Sequence, residues 1–233
     1  MTEINYGQYC PIAMASEILG TRWTVMVLRE LISGSTRFND LRRGVPRMSP
    51  ALLSKRLKEL EDAGVVQRIA SETAPGVSEY HLTRSGRDLK PVILAMGFWG
   101  QRWIAASEAL EKLDVSYFMW GMRQFVNAGA LPKRRCTVLF QYPEQAEGLR
   151  KWWLVVAPGA ETDVCTVDPG FDVDLYVTTD LRSMTAIWIG LTTVREAIQA
   201  KKMDVTGDRQ LAANMQIWLG LSPFAVEKKL AAG

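Results

Sequence analysis

Residues 36–83, TRFNDLRRGVPRMSPALLSKRLKELEDAGVVQRIASETAPGVSEYHLT, carry two helical patterns followed by two strand patterns, and that order decides the fold of the first half of the chain. Thr36 precedes a short helical segment over residues 37–43, in which Phe38 and Leu41 face the same way, and Gly44, Val45 and Pro46 break it. Ser49-Pro50 then opens a second helix, because serine can cap free backbone N–H groups and proline loses nothing at the first helical position. In ALLSKRLKELEDAG, Leu53, Leu57 and Leu60 are spaced to pack inward, and Gly64 ends the helix. Two helices joined by a tight turn, the second presenting Ala51, Ser54, Lys55 and Lys58 outward, make a helix-turn-helix.

Behind it, VVQRIA and EYHLT flank the polar, turn-rich SETAPGVS, which reads as a β-hairpin. A hairpin directly after a recognition helix is the wing of a winged helix-turn-helix, and such a helix enters the major groove of double-stranded DNA by its N-terminal end. Ser49, Ala51, Ser54 and Lys55 are the candidates for base edges. Arg42, Arg43, Arg47 and Lys58 are the candidates for phosphates, which fix register without reading sequence. Arg56 suits either role, or a structural pair with Glu59 or Glu61. The wing tip, Ser71 to Ser78, has no arginine at its apex and is expected to contribute weakly.

Charge supports this reading once it is placed along the chain. The net charge is +3, yet acidic and basic residues balance over 114–233, so the excess lies in the first half. Between Arg37 and Lys58, the residues Arg37, Arg42, Arg43, Arg47, Lys55, Arg56 and Lys58 stand against Asp40 and no glutamate, a clustering suited to a phosphate backbone.

On either side the patterns are helical. Ile18, Leu19, Val25, Met26 and Leu28 predict a helix over 12–33, stopped by Gly34. From Ser85 a long helix is expected, with Leu89, Val92, Ile93, Met96, Trp99, Trp103 and Ile104 in helical register. That aromatic stripe exceeds what a small domain buries alone. With Tyr9, Ile12 and Ile18 it is expected to pair two copies, giving a homodimer whose two heads read half-sites about one helical turn apart.

A hydrophobic share of 48% and a charged share of 23% describe a globular protein, and 233 residues suffice for two cores. The opening MTEINYGQYCPIAM lacks a basic stretch followed by an apolar run, and no later stretch approaches the roughly 20 apolar residues of a membrane helix. A cytoplasmic protein with no membrane partner is expected. Cys10, Cys136 and Cys165 are odd in number and far apart, which argues against a disulfide framework or a zinc site, and the latter two read as small core residues. His81, between Tyr80 and Leu82, reads as an ordinary strand residue. No nucleophile elbow, phosphate loop or metal constellation is visible, so neither an enzyme nor a bound metal or cofactor is expected.

The second half changes character near residues 111–115. YFMWGMRQFVNAG reads as a helix, and RRCTVLFQY, KWWLVVA, ETDVCTV and FDVDLYVTT follow as strands of an antiparallel sheet. Asp172 and Asp174 alternate with apolar residues and are expected to face solvent. Helices return in DLRSMTAIWIG, LTTVREAIQAKKM and RQLAANMQIWL, with the short strand DVTG before the last. Strands followed by helices give an α+β layer. Met184, Trp188, Leu191, Met215 and Trp218 are large, adaptable apolar side chains facing the sheet; each alone reads as core, and as a set they are candidates for holding a hydrophobic small molecule.

Two resemblances extend these readings. YCPIAMASEILGTRWTVMVLREL, RFNDLRRGVPRMSPALLSKRLKELEDAGVVQR and VSEYHLTRSGRDLKPVILAMGFWGQRW, within residues 6–106, closely resemble the HxlR family, a branch related to the MarR-type winged-helix regulators. That resemblance implies a homodimeric repressor or activator of transcription. Some members sense oxidants or electrophiles through a cysteine just before the first helix, here Cys10, and a helix N-terminus can lower a thiol pKa. DVDLYVTTDLRSMTAIWIGLTTVREAIQAKKMDVTGDRQLAANMQIWL resembles a sterol-carrier-protein-type domain: an alternating strand, an aspartate-started helix, a second helix, then a strand ending in Gly-Asp before the last helix. It implies an apolar tunnel for lipids or other hydrophobic molecules.

The expectation is therefore an α+β chain: a winged helix-turn-helix for DNA binding and dimerisation over 1–113 and a sterol-carrier-like domain over 114–233. The second domain would be a sensor or a rigid dimer-supporting module. Two alternatives stand beside it: a carrier of lipid or another hydrophobic ligand that uses the winged helix mainly to dimerise, and a thiol-based redox regulator acting through Cys10.

Overall fold

Between Pro11 and Ile32 the chain forms two helices, α1 (Pro11–Leu19) and α2 (Thr24–Ile32), where the apolar spacing predicts one. The interruption is at Trp23, whose φ of 81° is left-handed and cannot continue a right-handed helix. The computed structural model describes residues 5–72 and 74–230; residues 1–4, Thr73 of the expected wing tip and residues 231–233 lie outside the described residues.

The described chain divides into two units, Met1–Gly97 and Phe98–Gly233. In the first, α3 (Phe38–Gly44) and α4 (Pro50–Asp62) follow α2, then the antiparallel hairpin β1 (Val66–Ala70) and β2 (Ser78–Leu82). The short α5 (Arg84–Asp88) and α6 (Lys90–Trp103) replace the single long helix expected from Ser85. Pro91 explains the break, because it has no N–H for the preceding turn and its ring collides with the carbonyl four residues earlier. Leu28, Leu41, Leu53, Leu57 and Leu60 are completely or almost completely buried in one cluster, with Val66 from β1 and Ile93 from α6. Each such side chain contributes about 1.5–3 kcal/mol by leaving water.

The second unit holds α7 (Ala106–Ala109), α8 (Val115–Arg123), β3 (Cys136–Gln141), β4 (Lys151–Val156), β5 (Asp163–Cys165), β6 (Leu175–Thr179), α9 (Leu181–Trp188), α10 (Val194–Gln199), β7 (Met203–Gly207), α11 (Arg209–Ala213) and α12 (Met215–Trp218). The strands form one five-stranded sheet in the order β5-β4-β3-β6-β7. The sheet is mixed rather than antiparallel as expected, since β3 and β6 run parallel, with Val138 opposite Leu175 and Phe140 opposite Val177. The cause lies in the segment after β5, which carries the chain back to the end of the sheet where β3 begins. There Asp174 N–H donates to the Thr137 carbonyl at 2.9 Å, and Thr137 N–H donates to the Asp174 carboxylate at 2.8 Å. Asp174 is thus a fastening, also paired with Arg134 at 2.6 Å, and not the solvent-facing strand residue that alternation predicts.

Val138, Phe140, Leu154 and Val177 project from one face of this sheet into a second core, where Met119, Met184, Met215 and Trp218 meet them. The helix expected over RQLAANMQIWL is divided at Asn214 into α11 and α12. Cys136 is buried as expected, whereas Cys165 at the end of β5 is half-buried.

Candidate nucleic-acid interface

The start of α4 is built as the Ser49-Pro50 pair predicts: Ser49 Oγ accepts from Leu52 N–H at 3.3 Å, with Pro50 in the first turn. Leu53, Leu57 and Leu60 bind the helix to the core and leave Ser49, Ala51, Ser54 and Lys58 exposed and Lys55 partly so. Arg42, Arg43 and Arg47, at the end of α3 and in the turn, are exposed beside that helix start. Eight of the nine sequence candidates are therefore exposed or partly exposed along α3, the α3–α4 turn and α4.

The ninth, Arg56, is placed differently. Its side chain is only 11% exposed and pairs with Glu59. It also donates from Nε to the Arg22 carbonyl at 3.0 Å, tying α4 to the α1–α2 connection. Of the three roles open to it from sequence, it makes the structural pair with Glu59. Toward the C-terminal end of α4, Lys58 lies 2.8 Å from Asp62 and 3.4 Å from Glu61, with Lys55 3.9 Å from Glu59. Asp62, then Glu61, raise the Lys58 pKa.

The hairpin is fastened to the same region. Tyr80 N–H donates to the Thr36 carbonyl at 2.8 Å, and Arg37 pairs with Glu79 as a bridge beside β2. Glu79 is a hub: it accepts from Ser71 Oγ at 2.7 Å, lies 3.1 Å from His81 Nε2 and 3.4 Å from Arg37 Nε. Ser71, then His81 and Arg37, hold the Glu79 carboxyl below its ordinary pKa. His81 is accordingly a strand residue facing a neighbour, as expected.

An open groove of about 640 Å³ lies between α3, α4 and the wing, lined by Arg37, Phe38, Arg43, Ser54, Arg68 and Tyr80 among others. Arg68 and Tyr80 are direct cross-strand partners, so their side chains share one face of the hairpin. Sequence reasoning missed Arg68 and Tyr80. The available signal was the alternation of β1, in which Arg68 is two residues from buried Val66 and four residues past the end of the helical turn at Gly64.

The remaining candidates lie elsewhere. Cys10 is partly buried and precedes α1, and the backbone N–H groups of Ala13 and Ile12 lower its pKa. Met184, Met215 and Trp218 are fully buried in the second core, with Trp218 Nε1–H donating to the Leu211 carbonyl at 2.8 Å. Trp188 stacks edge-on against Phe118 and Phe125 at the margin of that core, while Leu191 is exposed. Among the described residues, no group of three histidine, cysteine or acidic side chains is placed to hold a metal ion, and no helix is long and apolar enough to cross a membrane.

Comparison with known proteins bears on this unit. The HxlR-like helix-turn-helix family model matches residues 18–108. The chain is 36% identical over 107 residues to the uncharacterized HTH-type transcriptional regulator YdeP of Bacillus subtilis (strain 168), an alignment covering 46% of this chain and 81% of that one. It is 37% identical over 105 residues to the uncharacterized HTH-type transcriptional regulator YvaP of the same organism, covering 45% and 97%. Among solved structures, the reduced form of the transcriptional regulator YodB from B. subtilis is 31% identical, with a TM-score of 0.37 over 42% of this chain and 96% of that one.

Proposed function

The chain belongs to the HxlR-like helix-turn-helix family, and from that premise we propose that it is a homodimeric, sequence-specific regulator of transcription that binds double-stranded DNA through α3, α4 and the wing. One observation carries the reading: exposed Arg42, Arg43 and Arg47 flank the capped start of α4, where Ser49, Ala51 and Ser54 are also exposed. Guanidinium groups there would hold phosphates while the short side chains admit base edges. The test is recovery and sequencing of genomic DNA fragments retained by the protein at two salt concentrations. A palindromic site, abolished in Arg42→Ala/Arg47→Ala, is expected; absence of binding even at low salt would overturn the reading.

In this proposal dimerisation and DNA binding belong to residues 1–113. The exposed Tyr9, Ile12 and Met14 of the N-terminal segment, with Val92, Met96, Trp99 and Trp103 of α6, form the surfaces a second copy would cover.

Residues 114–233 would form a sterol-carrier-like module. The support is the succession of β6, the Asp180-capped α9, α10, β7 ending at Gly207, and the Asp208-capped α11. A hydrophobic molecule among Met184, Trp188, Leu191, Met215 and Trp218 would have to displace packed side chains, and it would regulate only by preferring one arrangement of the DNA-reading heads. The carrier alternative leaves the basic α3–α4 surface without a role, and a steep loss of nucleic-acid affinity with salt would exclude it. A thiol switch is a second reading, favoured by the lowered Cys10 pKa. Mild peroxide would then abolish DNA binding by the wild type and spare Cys10→Ser; equal behaviour would remove it.

A further inference from the structure

The last turns of α6, from Phe98 onward, belong to the second unit, and they are held by a segment of that unit far away along the chain. We infer that residues 222–230 are a strap that keeps those turns helical, and that Glu227 and Lys229 are thereby positioning residues for the pairing of two copies. The inference rests on the homodimer reading above and adds to it a dependence of pairing on the second unit's own chain.

Phe98 and Arg102 are four residues apart and share one face of the helix, as do Trp99 and Trp103 on the next. The first face meets the strap: Phe98 packs edge to face with Phe224, ring centres 5.3 Å apart, and Arg102 Nε donates to the Glu227 carboxylate at 2.8 Å. The second face is exposed at both tryptophans. The helix also ends on the strap, because its last carbonyls have no partner within the helix. Lys229 Nζ donates to the carbonyls of Gln101 and Ile104 at 3.1 and 2.7 Å, and Leu230 N–H donates to that of Arg102 at 2.8 Å. An ammonium group placed there also complements the negative end of the helix dipole.

At its other end the strap is anchored to α9. Ser222 N–H donates to the Trp188 carbonyl at 2.9 Å, and a Cβ on Gly190 would stand 3.1 Å from the Ala225 carbonyl oxygen, so the glycine lets the strap pass close by. Gln101 Nε2 donates to the Ile189 carbonyl at 3.3 Å, joining the same stretch to α6 directly. Val226 and Leu230 are exposed, so beyond Phe224 the strap holds by its polar links rather than by burial. Without those links the carbonyls at the end of α6 lose their partners, the last turn frays, and Trp103 in that turn loses its fixed place beside Trp99.

The test is Glu227→Gln/Lys229→Met in the full chain, with Glu108→Gln/Lys112→Met in α7, a pair 3.8 Å apart, as a control that removes the same charges. Neither pair belongs to the buried core, so both variants keep the fold, which urea unfolding followed by tryptophan fluorescence checks. Sedimentation velocity over a range of concentrations is expected to give a dimer dissociation constant about tenfold weaker in the strap variant and unchanged in the control. Lys229→Arg, which keeps a cationic donor, should pair as the wild type does. Hydrogen exchange, measured where both proteins are dimeric, should quicken over residues 101–104 and stay unchanged in β3 and β6. Pairing that the strap variant leaves intact overturns the inference while the homodimer reading stands. Weaker pairing with unchanged exchange at the end of α6 overturns it too, since the strap would then be a direct contact of the second copy. A wild type that stays monomeric at every concentration overturns both.

Discussion

Gly207 closes β7 with a φ of 132°, and a Cβ there would run into the backbone carbonyl of Asp174. The same carbonyl accepts from Asp208 N–H at 2.8 Å, so the crossing cannot open to make room. Gly207→Ala is expected to destabilise the second unit by about 2–4 kcal/mol, visible as an earlier midpoint in urea unfolding followed by tryptophan fluorescence. The strand ending in Gly-Asp was legible in sequence; the reason for its glycine was not, because Asp174 is remote along the chain. Arg56 is the matching case in the first unit. Its hydrogen bond to the Arg22 carbonyl predicts that Arg56→Ala lowers stability by about 1 kcal/mol, with little change in the slope of DNA affinity against salt. Arg42→Ala should do the reverse: removing one phosphate partner reduces that slope by about 0.9 while leaving the melting temperature nearly unchanged. Seven basic residues between Arg37 and Lys58 look equivalent in sequence, and only burial separates the one that supports the helix from those that face solvent.

At the scale of elements, helix beginnings were legible, and so was the break before Pro91, whose proline is itself a local signal. Ser49 before Pro50 and the aspartates before α9 and α11 announce their helices because the capping chemistry is local. The break at Trp23 is not, since a left-handed tryptophan has no local signature and is held by packing against the first core. Sheet orientation escaped for a related reason: a buried strand is an apolar run whichever way its neighbour points. The caps also carry a pH dependence. Leu211 N–H, then Gln210 N–H and Arg134, hold the Asp208 carboxyl below its ordinary pKa, and Thr192 with Thr193 does the same for Glu196 in the capping box of α10. A carboxyl with a lowered folded pKa stabilises fully above its unfolded value of about 4 and loses that contribution as pH falls through the folded one. The melting temperature is therefore expected to fall from about pH 5 downward. Asp208→Asn, which keeps a capping oxygen without a charge, should flatten part of that fall.

For the molecule as a whole, the exposed apolar surface is what a single chain leaves unsatisfied. Tyr9 is 97% exposed and Trp99 62%, values that suit a surface covered by another copy. Sedimentation velocity at micromolar concentration is expected to show a dimer, and Trp99→Ser/Trp103→Ser to shift it toward monomer without loss of helical signal; a folded wild-type monomer would defeat the pairing. The basic face of the first unit was legible because its residues lie close together in sequence. The groove was not, because Arg37, Arg43, Ser54 and Arg68 come together only once the wing folds back on α3.

The parallel pairing of β3 with β6 also sets the order in which the chain can be made. β3 leaves the ribosome and finds β4 by a short antiparallel return, yet its other edge must wait until translation has passed through β5 and reached Thr179. The hairpin of the wing closes between strands that are neighbours in the chain, so the first unit can finish folding while the second still shows a bare apolar strand edge. During synthesis that edge, with Val138 and Phe140 on it, is where nascent chains would adhere to one another and where a chaperone would be needed.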